Sequence, residues 1–396
     1  MASKQRGFIW IALFAALGLV TAACGDDDDD GTAESNGAES PAGGGEGSIW
    51  VLLPDTESSD RWEEDDRRYF AENFEAAGLA DGEDFTIVNA EGDAATQQSQ
   101  AEQAINDGAS VIVLTSLDTG SGATIIDQAT EAGVQVLEYD RFNTGGAGGA
   151  AYVSFDNVKV GATMAEILEP TIDELGLDPV RVVELNGGEE DNNSFLFKSG
   201  YDATVQERVS AGDWELVADQ HVPGWDNQEA LTIMEQILVD QNNGVDAVFA
   251  ANDGLAASAA NAIEAAGIGP LPISGQDATA EGMQNILLGR QTMSVYKPIQ
   301  NEAGLASAVA LAMRAGDDIL TTQFDYDYEL IGIEAATGEP TDSAEGDGVV
   351  PYFGLVPIGV TEENMADTVI ADGFRTVDEI CTGDVAATTW CQENAG

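Results

Sequence analysis

The chain has 396 residues, of which 72 are Asp or Glu and 14 are Lys or Arg, so its formal net charge at pH 7 is −58. A surface this acidic repels nucleic acid and anionic lipid, which excludes both as expected partners, and it disfavours a free anionic substrate. The same balance is typical of proteins that work at high salt, where screening reduces self-repulsion, and it predicts a halophilic protein.

The first residues carry the pattern of an export signal. Lys4 and Arg6 give a positive start, an apolar run covers 8–20, and small residues lead to Cys24. The run is shorter than the ~20 residues that a membrane-spanning helix needs, which favours a cleaved signal peptide. We predict lipid attachment at Cys24. A lipobox more often has Leu where this chain has Thr21, so plain secretion and an uncleaved anchor stay open as alternatives.

Residues 24–47 have the composition of a tether that follows a signal peptide over 1–23. They contain the acidic run 26–30 and then Gly, Ser, Ala and Glu, with almost no large apolar residue. Such a segment cannot bury enough surface to offset the entropy of ordering it, so we predict disorder. The mature protein is then extracytoplasmic and lipid-anchored to the outer face of the cell membrane.

From Ser48 the sequence alternates short apolar or β-branched runs with longer amphipathic stretches. The predicted strands lie, in chain order, at 49–53, 85–88, 111–114, 134–137, 180–185, 247–250 and 271–274. Alternating strands and helices indicate a mostly parallel sheet with helices on both faces. These units are too many for one small sheet, so we predict an α/β fold of two doubly wound parallel-sheet lobes joined by a hinge.

Polar clusters follow several predicted strands. They are Asp140-Arg141, Asp191-Asn192-Asn193, Asn252-Asp253 and Asp277. In open α/β sheets, ligands bind outside the carboxyl ends of the strands, so both lobes direct polar groups at a cleft between them. Carboxylates, amides and Arg pair well with sugar hydroxyls, and Trp62 and Trp225 could cover the apolar face of a sugar ring. The mixture indicates a neutral polyol as ligand.

Structural alternatives exist for each of these residues. Trp62 and Trp225 could pack in the core, Asp140-Arg141 could be a structural ion pair, and Asn252-Asp253 could cap a helix. Enzyme signals are weak, because the motifs GxxxxGK, GxSxG, HExxH and GxGxxG are absent from the sequence. With His221 as the one histidine, we expect neither a metal site nor a cofactor.

Two cysteines lie close together near the C-terminus. Cys381 and Cys391 are ten residues apart, and in an oxidising compartment such a pair favours a disulfide over two free thiols.

In their order and spacing, the motifs resemble those of sugar-binding proteins of ABC importers with the type I periplasmic-binding fold, most of all the D-xylose-binding proteins. The segments that carry the resemblance are Arg61-Trp62-Glu63, Thr96 to Gln100, Tyr139-Asp140-Arg141, Ser154 to Asn157, Asp191-Asn192-Asn193, Gly224-Trp225, Ala251-Asn252-Asp253, Ser274 to Asp277, Thr292 to Pro298 and Asp367 to Phe374. The resemblance covers about 49–374. The tail with Cys381 and Cys391 lies outside it.

The resemblance implies two lobes joined by three crossings, with the sugar held between aromatic rings. Trp62 and Trp225 would stack on the ring. The hydroxyls would bond to Arg61, Asp140, Arg141, Asn193, Asn252, Asp277 and Lys297, with Asn192 and Asp253 as weaker candidates. The spacing after Trp62 varies within the family, so no role is assigned to Asp66 or Arg67.

The expected lobes follow from this fold. We expect an N-terminal lobe of 48–154 plus about 297–322, a C-terminal lobe of 155–296 plus about 323–380, and a tail of 381–396.

The predicted function is that of a monomeric lipoprotein that binds a monosaccharide, D-xylose in first place, and delivers it unchanged to the membrane subunits of an ABC permease. One alternative is a sensor that presents a bound sugar or signal molecule to a membrane receptor. A hydrolase that uses carboxylates of the cleft is another.

Overall fold

The computed structural model describes residues 47–56, 58–59 and 61–394. The expected signal peptide, Cys24 and the tether up to residue 46 lie outside the described residues. In the part of the chain that is described, no helix is long and apolar enough to cross a membrane.

Short apolar runs form strands and amphipathic stretches form helices, as the sequence predicts. The strands are β1 (Ser48–Leu53), β2 (Phe85–Asn89), β3 (Ala109–Leu114), β4 (Gln135–Tyr139), β5 (Ala151–Phe155), β6 (Val180–Asn186), β7 (Trp214–His221), β8 (Ala247–Ala250), β9 (Ser294–Tyr296), β10 (Tyr328–Glu334), β11 (Pro340–Thr341), β12 (Val349–Leu355) and β13 (Ile358–Val360). The α-helices are α1 (Arg67–Ala76), α2 (Ala94–Asn106), α3 (Thr119–Glu131), α4 (Asn157–Asp173), α5 (Asn192–Ala211), α6 (Asn227–Asp240), α7 (Asp253–Ala265), α8 (Ala280–Leu287), α9 (Ile299–Ala315), α10 (Val377–Ile380) and α11 (Thr389–Asn394). A π-helical turn, Trp62–Asp66, precedes α1.

The first lobe is built on a sheet of eight strands in the order β11-β10-β12-β5-β4-β3-β1-β2. The strands from β12 to β2 pair in parallel, which is the arrangement that alternating strands and helices predict. β10 pairs antiparallel with β12 and β11 with β10, at one edge.

The position of β10 and β12 shows that one expected boundary between the lobes was wrong. The sequence assignment placed about 323–380 in the C-terminal lobe, but β10 and β12 lie in the first sheet. Tyr352 of β12 pairs with Tyr152 of β5, and the two rings stack with centroids 4.6 Å apart. β12 is buried along most of its length, so its backbone N–H and C=O groups need a hydrogen-bonded strand on each edge. β5 and β10 provide those neighbours.

The second lobe has a smaller sheet, in which β7, β6 and β8 pair in parallel. Parallel bridges from Val248 to Ile273 and from Gln276 to Val295 continue it toward β9, which pairs antiparallel with β13. The predicted α/β class with parallel-sheet lobes is therefore confirmed.

The chain passes between the two sheets three times: from β5 into α4, from β9 into α9, and from β12 into β13. Each lobe has its own apolar core. Phe70, Val113 and Phe353 are buried in the first, and Val183, Phe249 and Leu255 in the second. The first core also takes in Met283 and Leu287 of α8, a helix that packs against α7 of the second lobe, so apolar packing continues across the boundary between the lobes there.

The C-terminal residues pack on the first core. Ile380, Val385 and Trp390 are buried there together with residues of α8 and α9. Cys381 and Cys391 form the predicted disulfide, with a Cα–Cα distance of 5.6 Å. Gln284 of α8 also donates to the carbonyl oxygen of Ile380 at 3.1 Å. The tail is therefore an integral part of the fold.

Candidate ligand-binding site

A cavity lies between the lobes, at the carboxyl ends of their strands. The cavity is small, with about 30 Å³ open to the centres of water-sized spheres. The lining residues are Ser58, Ser59, Arg61, Trp62, Asp140, Arg141, Asp191, Asn193, Phe197, Trp225, Asn252, Gln276, Asp277 and Lys297.

Helix starts position several of these side chains. The Asn252 Oδ1 accepts from the Leu255 N–H at 2.9 Å, so Asn252 caps α7 and lines the cavity at once. Asp191 caps α5 in the same way by accepting from the Asn193 N–H at 2.9 Å. The two interpretations of Asn252, helix cap and site residue, are therefore compatible.

Three lining residues have left-handed backbone conformations. The φ angles are 58° at Asp140, 56° at Trp225 and 96° at Asp277. Non-glycine residues adopt such angles at a cost of order ~1–3 kcal/mol, and they concentrate at functional sites. The strain at Asp140, Trp225 and Asp277 is consistent with side chains that are held in place for a ligand.

Arg61 is the centre of a buried ion-pair network. Its Nε and Nη2 donate to the two carboxylate oxygens of Asp66 at 2.9 and 3.0 Å, and its Nη1 donates to Asp140 at 2.9 Å. Nη2 also donates to Glu302 at 3.0 Å. These bonds use four of the five guanidinium N–H groups. Among the described residues none accepts from the fifth, which is on Nη1 and next to Asp140.

Burial and the charges of this network shift the pKa values of its carboxyl groups. Burial by itself would raise the pKa of Asp140, but Lys297, Arg61 and Arg141 together hold that pKa below its ordinary value. Burial raises the pKa of Glu302 well above its ordinary value, and the neighbouring Asp140 adds to the rise. Asp140 is therefore a carboxylate at neutral pH, which can accept hydrogen bonds from ligand hydroxyls.

Lys297 stands at the second crossing and completes the polar wall. Its Nζ lies 3.2 Å from Asp140 Oδ2 and 3.7 Å from Asp277 Oδ1. The same Asp277 oxygen accepts from Gln276 Nε2 at 2.8 Å. Cations and carboxylates thus alternate around the cavity, an arrangement that suits groups which both donate and accept.

The two tryptophans belong to different lobes. Trp62 is buried in the first core, with the Arg61 and Arg141 guanidinium groups 4.2 and 5.4 Å from its ring centroid. Trp225 is buried in the second core, where its ring meets Phe197 edge-on with centroids 6.3 Å apart. Both indoles nevertheless line the same cavity. Each tryptophan therefore both packs in the core of its lobe and forms part of the candidate site.

Comparison with known proteins identifies the family. Residues 50–318 match the family described as periplasmic binding protein domain. The D-xylose-binding periplasmic protein of Escherichia coli is 35% identical over 325 residues, which cover 81% of this chain and 89% of that protein. The chain belongs to the periplasmic binding proteins. The predicted resemblance to the type I sugar-binding proteins of ABC importers is thereby confirmed.

Two further relatives agree with this assignment. The D-xylose-binding periplasmic protein of Haemophilus influenzae is 34% identical over 323 residues, covering 81% of this chain and 88% of that one. A solved structure of an ABC transporter solute-binding protein from Clostridium phytofermentans, with bound β-D-glucose, has a TM-score of 0.72 and 23% identity. It covers 84% of this chain and 99% of the other, and at that identity it shows the fold.

Of the sequence-predicted ligand residues, all but two line the cavity of this periplasmic binding protein. Those brought together are Arg61, Trp62, Asp140, Arg141, Asn193, Trp225, Asn252, Asp277 and Lys297. Asn192 and Asp253 do not line it. The Asp253 carboxylate accepts from Gln291 and Ser294 at 2.8 Å each, and burial raises its pKa to about 7. It is a buried support of the second lobe.

The sequence interpretation missed several residues of the site. Asp191 is next to Asn192 and Asn193 in the sequence, and Gln276 is next to Asp277. The rule that polar residues after a strand line the cleft could therefore have identified both. Phe197 follows Asn193 by one helical turn on α5, a spacing that puts both on one face. Asp66, to which no role was assigned, is fully buried and holds Arg61 through two hydrogen bonds.

Proposed function

We propose that this protein is the solute-binding subunit of an ABC sugar importer and that it binds a monosaccharide, D-xylose in first place, in the interlobe cavity. The observation that carries the proposal is the pair Trp62 and Trp225, which reach one small cavity from separate cores. Two indoles can cover both faces of a pyranose. The identity of 35% with a D-xylose-binding protein supports xylose within this class.

The charge pattern favours a neutral ligand. Each cation of the cavity already has a carboxylate partner: Arg61 pairs with Asp66, Arg141 with Asp191 and Lys297 with Asp140. An anion would have to displace one of these carboxylates in a dry site, which is costly. A sugar hydroxyl can instead donate to Asp140 or Asp277 and accept from Lys297 or Asn252 without breaking a pair.

Delivery follows from hinge closure. The sugar binds between the lobes, the three crossings bend, and the closed form meets the membrane subunits of the permease. The chain acts as a monomer, it binds the sugar without reaction, and no cofactor or metal takes part. Cys24 carries the lipid that keeps the protein at the outer face of the cell membrane, with the acidic segment after it as the tether.

A calorimetric titration in molar salt tests the ligand. D-xylose, L-arabinose, D-ribose and D-glucose are compared with one protein preparation. We expect binding at a 1:1 ratio, tightest for D-xylose, and recovery of the sugar unchanged after long incubation. Tighter binding of another of these sugars would replace xylose as the ligand. Binding of none of them would overturn the proposed function.

A further inference from the structure

Ser58 lies in the loop after β1, where it is half-buried and lines the cavity. Its hydroxyl oxygen accepts from the indole Nε1 of Trp62 at 3.1 Å and from Nη2 of Arg141 at 3.1 Å. The same hydroxyl donates to Oδ2 of Asp55 at 2.9 Å. One serine therefore joins two residues of the candidate site to a carboxylate that does not line the cavity.

The chemistry of these three partners fixes the direction of the Ser58 hydroxyl. The indole N–H and the guanidinium N–H can only donate, whereas the Asp55 carboxylate accepts, so the Ser58 proton points at Asp55. The two lone pairs of the hydroxyl then take the two donors. All three of its hydrogen-bonding positions are filled, and none remains for a ligand. Through its hydroxyl, Ser58 can act on a ligand only by way of Trp62 and Arg141.

Asp55 holds Ser58 at a fixed place relative to the first sheet. Asp55 is buried, and its Oδ1 accepts from the Ser58 backbone N–H at 2.6 Å while Oδ2 accepts from the hydroxyl. Asn89, the last residue of β2, donates from Nδ2 to the Asp55 carbonyl oxygen at 3.0 Å. The serine oxygen is therefore tied to the carboxyl ends of β1 and β2.

The two donors that meet at this oxygen are both buried parts of the site. The bond at the N–H edge of Trp62 fixes the plane of an indole that lines the cavity. Arg141 also donates from Nη1 to the Ser116 carbonyl oxygen at 3.1 Å, and its Nε lies 3.2 Å from Asp191 of the second lobe. Two nitrogens of the guanidinium are thus held within the first lobe, and the third faces across the cleft.

From this geometry we propose that Ser58 is a positioning residue of the sugar site. Its oxygen sets the plane of the Trp62 ring and the direction of Arg141 toward Asp191, and it contributes to affinity without a hydrogen bond to the sugar. The inference rests on the proposed function, because it assigns Ser58 to the site that takes the monosaccharide.

Calorimetric titration of the full chain with D-xylose in molar salt tests the inference. Ser58→Ala leaves two buried donors without their acceptor, and we expect it to weaken binding by at least about tenfold. Ser58→Thr keeps the hydroxyl and should bind within about threefold of the wild type. Ser110→Ala is the matched control. Ser110 is half-buried, and its hydroxyl donates to the Ser48 carbonyl oxygen at 3.4 Å, at the end of the sheet opposite the cavity. That variant should bind as the wild type does.

A double-mutant cycle shows whether Ser58 acts through Trp62. Trp62→Phe keeps an aromatic ring but has no N–H for Ser58 to hold. In that background, Ser58→Ala should lower the affinity by a factor at least about threefold smaller than in the wild type. A general defect of the loop would lower the affinity by the same factor in both backgrounds, so the cycle separates positioning from a merely structural role.

The outcomes also separate this inference from the function beneath it. Wild-type affinity in Ser58→Ala would overturn the inference and leave the monosaccharide function intact. The same holds for an affinity as low in Ser58→Thr as in Ser58→Ala, and for an equal effect of Ser58→Ala with and without the Trp62 N–H. If the wild-type chain bound none of the sugars, the proposed function would fail, and the inference with it.

Discussion

Arg141 and Asp191 form an ion pair across the cleft, with Arg141 Nε 3.2 Å from Asp191 Oδ2. Arg141 follows β4 of the first lobe, whereas Asp191 caps α5 of the second. Beside this pair, Asn193 Nδ2 donates to the carbonyl oxygen of Asp140 at 2.9 Å, and the Thr119 N–H donates to the carbonyl oxygen of Glu190 at 3.2 Å. Each contact has one partner in each lobe, so opening of the cleft breaks them all.

Asp191→Asn should therefore weaken sugar binding mainly by speeding release. The variant leaves the buried Arg141 without its carboxylate, a loss of roughly 1–3 kcal/mol in the closed state, or about fivefold to 150-fold in affinity. Stopped-flow dissociation measures the rate. Glu189→Gln removes a charge from an exposed position of the same loop and is the control. An unchanged release rate in Asp191→Asn would show that the pair does not stabilise closure.

Trp225→Ala and Trp62→Ala should each weaken xylose binding by roughly 2–4 kcal/mol, because each removes an aromatic wall of a small, dry cavity. Calorimetry gives the affinity, and melting of the sugar-free variants gives the stability. If the indoles served core packing alone, the melting temperature would fall and the folded fraction would bind normally. Normal xylose affinity in Trp225→Ala would refute the stacking role.

Cys24→Ser should release the protein from membranes, because no thiol then remains for the lipid. Fractionation of cells that express the variant and the wild-type chain measures this. Persistence of the variant in the membrane fraction would mean that residues 8–20 act as an uncleaved anchor.

Molar salt should raise the melting temperature. The formal charge of −58 makes self-repulsion a large term, and at 1 M salt the Debye length falls to about 3 Å. Calorimetric melting between low and molar salt measures the shift. A flat or falling melting temperature would remove the halophilic interpretation.

Glu138 should make stability fall as the pH rises. It is fully buried in β4 and accepts from the Gly149 N–H at 2.8 Å and from Asn143. Burial raises its pKa from 4.5 to about 7 against these bonds, so the folded state binds the proton more tightly than the unfolded state. The free energy of unfolding then decreases between pH 4.5 and 7, by at most about 3 kcal/mol.

Glu138→Gln removes this ionisation and should make that slope shallower, while the buried Asp253, whose pKa is also raised to about 7, keeps part of it. Denaturant unfolding at several pH values in molar salt measures it. Glu131→Gln, at the exposed end of α3, should keep the wild-type slope. Equal slopes in Glu138→Gln and the wild type would show that folding does not raise the pKa of Glu138.

The sequence predicted which residues line the cavity better than it predicted which of them contact one another. Asp140, Asn252 and Asp277 could be found because polar residues that follow apolar runs lie at strand ends, and that rule is local. Glu302, which contacts Arg61 at 3.0 Å, is 241 residues away from it in the chain. Nothing in the sequence around Glu302 distinguishes it from the many other carboxylates.

The sequence by itself determined the α/β class, the strand and helix periodicity, the family and most of the cavity-lining residues. These follow from local patterns of apolar and polar residues and from motif order. Only the tertiary structure decided that β10 and β12 join the first sheet, that Asp253 supports the fold away from the cavity, and that Asp66 holds Arg61. Each of these depends on which distant segments pack together, and that is set by the burial of apolar surface over the whole chain.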